Sequence, residues 1–273
     1  MINSVAINRP IGVFDSGIGG LTVVKEMFRI MPNEDVIYFG DTARLPYGSK
    51  SEKTIQRFAI ENAVFLSSFG VKAIVVACNT VSAVALDFLR GFVKLPVIGV
   101  VEPGAEAAVR ATRSKRVGVI ATKTTTRMHA YAACIKELDA DVEVYEVAAP
   151  LLVHLVEENW IERDITKEIL REYLHPLLDA KIDTLVLGCT HYPFLSNVIK
   201  EIAPNLTLIN SANETAVSVR RLLRAEQLVS EKPSSGSIRI YLSDSHPDSA
   251  RWVADFLGSE IPIESVEPHH FSS

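Results

Sequence analysis

Ile74-Val75-Val76-Ala77-Cys78-Asn79-Thr80 returns later in the chain as Leu185-Val186-Leu187-Gly188-Cys189-Thr190-His191. Each stretch is a short apolar, strand-favouring run, then a small residue, then a cysteine, then a side chain bearing an amide or a hydroxyl. A helical pattern follows each, Val81 to Arg90 after the first and Pro193 to Ile202 after the second. A buried strand that ends in a thiol, with a helix behind it, presents that thiol at the C-terminal edge of a parallel sheet, where α/β proteins bind their ligands. Two such thiols from two related halves predict one site with a thiol on each side. Chemistry that needs two opposed proton carriers fits that arrangement.

Apolar strand patterns alternate with amphipathic helical ones nearly throughout, so the chain reads as α/β with a largely parallel sheet. The expected strands are Ile11 to Phe14, Val36 to Phe39, Ala73 to Ala77, Val97 to Val100, Arg116 to Ile120, Val142 to Glu146, Thr184 to Gly188, Thr207 to Ile209 and Ile238 to Leu242. Lys53 to Phe69 is the clearest helix, with one apolar stripe, Ser51 as N-cap and Gly70 as terminator. Arg127 to Leu138 reads as another. Ser211-Ala212-Asn213-Glu214 has capping-box spacing and predicts a helix running to about Leu228, and Ser243 to Pro247 predicts the start of the last one.

The repetition extends beyond the cysteines. Arg9-Pro10-Ile11-Gly12-Val13-Phe14-Asp15-Ser16 has a counterpart in Arg116-Val117-Gly118-Val119-Ile120-Ala121-Thr122, and Leu95 to Gly99 follows Cys78 at the spacing by which Leu206 to Asn210 follows Cys189. One half spans about residues 9–100 and the other about 116–210. The stretch 212–273 has no cysteine strand and is expected to pack onto one of the halves.

Composition narrows the function. With 273 residues, 48% of them hydrophobic, the chain can bury one large core or two ordinary ones. A net charge of −5 without a basic cluster beyond Arg113 to Arg116 and Arg220-Arg221 argues against nucleic acid as the main partner. No apolar run approaches the roughly 18 residues of a membrane span, and Met1 to Pro10 lacks a secretory pattern. Three cysteines, two of them in apolar-strand contexts, fit a reduced, cytoplasmic protein.

Several motifs fall at strand ends. Asp15-Ser16-Gly17-Ile18-Gly19-Gly20 is a glycine-rich strand-to-helix turn suited to an anion, though neither a dinucleotide fingerprint nor a P-loop, and a bland tight turn reads equally well. Pro46-Tyr47-Gly48 could be a simple turn or a wall of the same pocket. Cys134, inside a helical run, reads as packing. Cys78 and Cys189 stand where helix N–H groups favour a thiolate. An unperturbed thiol at pKa ~8.5 is about 3% ionised at pH 7, and lowering it to ~7 takes roughly 2 kcal/mol. His191 adjoins Cys189 and reads as a structural histidine or, in preference, as a relay or orienting partner for the thiol. His154 with Glu157 and Glu158 does not make a metal site, and His269-His270 falls in a tail. No metal or cofactor motif can be assembled.

Asp15 to Gly20, Pro46-Tyr47-Gly48, Ala77-Cys78-Asn79-Thr80 and Gly188-Cys189-Thr190-His191-Tyr192-Pro193 together resemble the motif set of bacterial glutamate racemases, in the expected order over nearly the whole chain. That resemblance implies two pseudo-symmetric α/β domains with mostly parallel sheets, residues 1–100 plus 212–273 and residues 101–211, with the active site in the cleft between them. It implies a cofactor-independent, metal-free interconversion of L- and D-glutamate that supplies peptidoglycan. Carried over, Cys189 deprotonates L-glutamate and Cys78 D-glutamate, with Asp15 assisting Cys78 and His191 assisting Cys189. Glu157 is the matching third acidic helper, with Glu158 beside it. Substrate contacts would come from Asp15, Ser16, Pro46, Tyr47, Gly48, Asn79, Thr80, Thr122, Thr190 and His191. Where the family usually has a glycine, this chain has Lys123-Thr124-Thr125-Thr126, which leaves the shape of that loop and the role of Thr122 open. An aspartate racemase on the same scaffold is the nearest alternative. A small-anion or redox module with a reversible Cys78–Cys189 disulfide is a more distant one. A homodimer is compatible with the sequence.

Overall fold

All nine expected strands form, as β1 (Ile11–Asp15), β2 (Val36–Gly40), β3 (Ala73–Val76), β4 (Val97–Gly99), β5 (Arg116–Ala121), β6 (Glu143–Ala148), β7 (Thr184–Gly188), β8 (Thr207–Asn210) and β9 (Ile238–Leu242). A tenth, β10 (Ile263–Ser265), was not expected: Glu264 and Ser265 are exposed and only Ile263 carries an apolar signal. The computed structural model describes residues 4–267, and the His269-His270 pair lies outside them.

The strands form two parallel sheets, one ordered β10-β9-β2-β1-β3-β4 and the other β6-β5-β7-β8. The order β2-β1-β3-β4 in the first is repeated as β6-β5-β7-β8 in the second, so the duplicated motifs fall on equivalent strands. In each set the chain leaves its first strand to one side and returns on the other. That reversal opens a crevice beyond the strand ends, between β1 and β3 in one sheet and between β5 and β7 in the other. β9 and β10 extend the first sheet beside β2.

Both faces of each sheet are covered, which is why the central strands are apolar without interruption. Ile11, Val13 and Val75 face the helices Leu21–Ile30, Ser211–Ala225 and Ser249–Leu257, while Phe14, Ile74 and Val76 face Glu52–Ser68 and Asn79–Phe92. In the second sheet Ile120, Leu185 and Leu187 face Leu151–Glu157, Asp164–Asp179 and Ser196–Ile202, and Val117, Val119 and Val186 face Val101–Ala111 and Ala130–Leu138.

Helix ends depart from expectation where another capping group wins. Ser51 does cap Glu52–Ser68, accepting from Thr54 N, and Gly70 takes φ +67°. The capping box at Ser211 does not form: Asn210 caps that helix through Ala212 N, and Glu214 instead pairs with Arg110. The last helix opens at Ser249, after Pro247 rather than before it. The run Arg127 to Leu138 is broken at His129, whose φ of +50° separates Lys123–Arg127 from Ala130–Leu138. Thr122 caps the first piece by accepting from Thr125 N, a signal hidden in a row of threonines.

Candidate active site

The two crevices open into one cavity of about 290 Å³. Register explains the convergence. Phe14 pairs with Val76, so Asp15 and Ser16 leave β1 beside Cys78, and Ala121 pairs with Gly188, so Thr122 leaves β5 beside Cys189. All the expected catalytic and substrate-contact residues line this cavity: Asp15, Ser16, Pro46, Tyr47, Gly48, Cys78, Asn79, Thr80, Thr122, Glu157, Cys189, Thr190 and His191. Leu45, Ser49, Lys123, Pro150, Val153 and His154 line it as well. Sequence reasoning missed these six. Val153 and His154 lie one helical turn before Glu157, so the helix that carries Glu157 held the signal for both.

On the first side, Cys78 is a buried, free thiol whose sulfur donates toward Ser16 Oγ at 3.7 Å. Asp15 is buried too, its Oδ2 accepting from Gly20 N at 2.8 Å. The expectation that the helix end would lower this thiol's pKa does not hold. Burial, reinforced by the Asp15 carboxylate, pushes it up to about 12, and the Val81 N–H, the Ser16 hydroxyl and the Ser16 N–H only partly offset that. Cys78 is held as a thiol, a proton donor.

On the second side the charges are reversed. Cys189, also buried and free, has its sulfur 3.8 Å from His191 Nδ1. Nε2 of the same ring lies 3.2 Å from Glu157 Oε1, within ion-pair distance but off the line of a hydrogen bond. Burial opposes charging this imidazole, yet Cys189 and Glu157 together hold its pKa up at about 10. Glu157 in turn is lowered: burial raises it, and His191 outweighs that. The second thiol therefore faces a cation, where the first faces an anion.

Hydroxyl and amide groups join the two sides. Thr80 Oγ1 lies 3.0 Å from Thr122 Oγ1, which is 3.0 Å from Thr125 Oγ1. Asn79 Oδ1 accepts from Tyr131 OH at 2.6 Å, while its buried Nδ2 has no partner among the described residues. That leaves one donor of a cavity-lining residue without a partner. Thr124 Oγ1 donates to Gly48 O at 2.8 Å and ties the threonine loop to the Pro46-Tyr47-Gly48 turn. Tyr47 lines the cavity with its ring, but its hydroxyl is engaged by Asp41 and by Asn62. The glycine-rich turn is shaped by space rather than by dihedral angle: a Cβ on Gly19 would lie 2.3 Å from Thr190 Oγ1 and 2.8 Å from His191 Cε1.

Cys134, on the helix Ala130–Leu138, does not reach the cavity. Among the described residues no cluster of His, Cys, Asp and Glu could hold a metal ion, and no helix is long and apolar enough to cross a membrane.

The profile of the Asp/Glu/Hydantoin racemase family matches residues 11–219. Over 254 residues the chain is 48% identical to the glutamate racemase of Geobacter metallireducens, an alignment covering 93% of this chain and 94% of that one. The structure superposes with a TM-score of 0.91 on glutamate racemase from Francisella tularensis subsp. tularensis in complex with D-glutamate, at 40% identity, covering 97% of this chain and 99% of that one. Against Escherichia coli glutamate racemase in complex with L-glutamate and the activator UDP-MurNAc-ala, the TM-score is 0.77 at 29% identity, covering 95% and 98%.

Proposed function

Because this chain belongs to the Asp/Glu/Hydantoin racemase family, we propose that it interconverts L- and D-glutamate by proton transfer between Cys78 and Cys189 across the substrate's Cα. One observation carries the reading: two thiols at the ends of equivalent strands, β3 and β7, line a single cavity. A racemisation is nearly thermoneutral and runs both ways, so it needs a group on each face that can act as base in one direction and acid in the other.

In the L-to-D direction Cys189 takes the α-proton. The imidazolium of His191, held by Glu157, is the setting in which a thiolate forms. Cys78, kept protonated by burial and by Asp15, delivers its proton to the opposite face. The reverse direction requires Cys78 to ionise. The substrate ammonium, placed against Asp15, cancels the charge that adds to burial in holding this thiol protonated. Negative charge developing on the carboxylate and Cα meets donors already in place, the free Nδ2 of Asn79 and the hydroxyls of Thr80, Thr122 and Thr190. Substrate that displaces water from this cavity makes each donor count for more. No cofactor enters this scheme.

The same reading places the two units at residues 1–100 plus 212–273 and residues 101–211, and makes the enzyme a cytoplasmic source of D-glutamate for peptidoglycan. Circular dichroism on purified protein with L-glutamate and no added cofactor tests it. The optical signal should decay toward zero. A signal that stays flat with glutamate but decays with L-aspartate would assign the chain to the sister activity.

A further inference from the structure

Tyr131 is fully buried, lies off the cavity, and touches both cysteine motifs. Its hydroxyl donates to Asn79 Oδ1 at 2.6 Å, and Asn79 is the residue after Cys78. Its ring lies against Gly188, the residue before Cys189, where a Cβ would sit 3.1 Å from ring Cε2. At the opposite edge of the ring, a Cβ on Gly104 would come 3.0 Å from Cε1. The phenol is thus held between two glycines of the second half while its oxygen reaches a residue of the first. The helix that carries it is also anchored where it starts, since His129 Nδ1 lies 2.6 Å from Glu146 Oε2.

The bond from Tyr131 sets which way the Asn79 amide faces. An amide presents an acceptor at one end and N–H donors at the other, and here the acceptor is taken by the phenol. Nδ2, buried and without a partner among the described residues, is the end left for a ligand. A buried donor without a partner is costly, so an amide with nothing to hold it would turn or shift to escape that cost. We propose that Tyr131 is a positioning residue for the racemisation: it holds the Asn79 amide so that its nitrogen, not its oxygen, is offered to negative charge developing on the substrate. This rests on the proposed racemase activity.

The test is steady-state racemisation in both directions by wild type, Tyr131→Phe, Asn79→Ala and the double variant, with thermal midpoints on the same preparations. Tyr131→Phe should lower kcat and kcat/KM together by about tenfold in both directions, with KM within about twofold of wild type. The donor it positions acts on charge that develops during the reaction, so the loss falls on the transition state. In the Asn79→Ala background the same substitution should cost less than about twofold, since no amide is left to orient. A purely structural role would cost the same factor in both backgrounds, and that result overturns the proposal. So does a Tyr131→Phe enzyme whose kcat stays within about twofold of wild type, or one whose loss lies in KM alone. Where Asn79→Ala does not fold, the split between kcat and KM in Tyr131→Phe decides by itself. A wild type inert toward both glutamate enantiomers overturns the racemase reading, whereas an active wild type with an unaffected Tyr131→Phe variant overturns only the role of Tyr131.

Discussion

The sulfur of Cys189 lies 3.8 Å from Nδ1 of His191, its neighbour but one. Cys78 has a carboxylate, Asp15, as its corresponding charged neighbour. Each helper should matter most when its own thiol acts as base. His191→Asn should lower kcat about 10- to 100-fold in the L-to-D direction and less in the reverse, with Asp15→Asn showing the opposite bias. The equilibrium constant fixes the ratio of kcat/KM, so the bias can show only in kcat and KM separately. Initial rates at saturating L- and D-glutamate decide it, and equal losses in both directions would withdraw the two assignments.

Replacing Cys78 or Cys189 by serine should cut racemisation more than about a thousandfold, because an alkanol does not ionise usefully near neutral pH. Cys134→Ser should stay within a few-fold of wild type, since that thiol lies off the cavity. The check is the circular-dichroism rate with all three variants matched for thermal midpoint.

Gly19→Ala tests the contact between the two halves. Its backbone can accept alanine, as Gly19 is not at positive φ, but the new Cβ would drive into Thr190 and His191. Activity should drop about tenfold or more while stability falls by about 1–3 kcal/mol, the usual cost of overpacking. Kinetics and thermal melting on one preparation measure both. Wild-type kinetics would mean that the two loops part without consequence.

Asp183 supplies a test of stability against pH. It precedes β7 and accepts from Thr112 Oγ1, Arg113 N, Ser114 N and Thr184 Oγ1. Burial opposes ionisation, but these donors bring its pKa down to about 2. A depressed pKa gives stability that is full above the unfolded value near ~3.9 and lost as pH falls through the folded one. Asp183→Asn should therefore be less stable than wild type by about 1 kcal/mol at neutral pH, after discounting for solvent screening. The gap should close between about pH 4 and pH 2. Urea midpoints across that range measure it, and a gap that is constant with pH would mean the carboxylate's charge is not what holds the loop.

Much of this was legible before the fold. Apolar runs ending in Cys78 and Cys189 defined both crevices, since a strand that must be buried on both faces leaves little freedom in its assignment. The cavity walls were legible as motifs because each lies just past a strand end. What escaped depends on competition in three dimensions. Asn210 rather than Ser211 caps its helix, and β10 is held by pairing with β9 more than by its own residues. The upward shift of the Cys78 thiol could not be read either: a helix start is visible in sequence, whereas the depth of burial and the nearness of Asp15 are not.

The most direct measurement is racemisation of protiated L-glutamate in D2O, followed by mass spectrometry of each enantiomer during the first few per cent of conversion. With Cys189 removing the proton and Cys78 supplying another on the opposite face, D-glutamate should carry solvent deuterium at Cα from the outset while residual L-glutamate stays protiated. Early D-glutamate that retains the substrate's own proton would show one base serving both faces, and the two-thiol account would be contradicted.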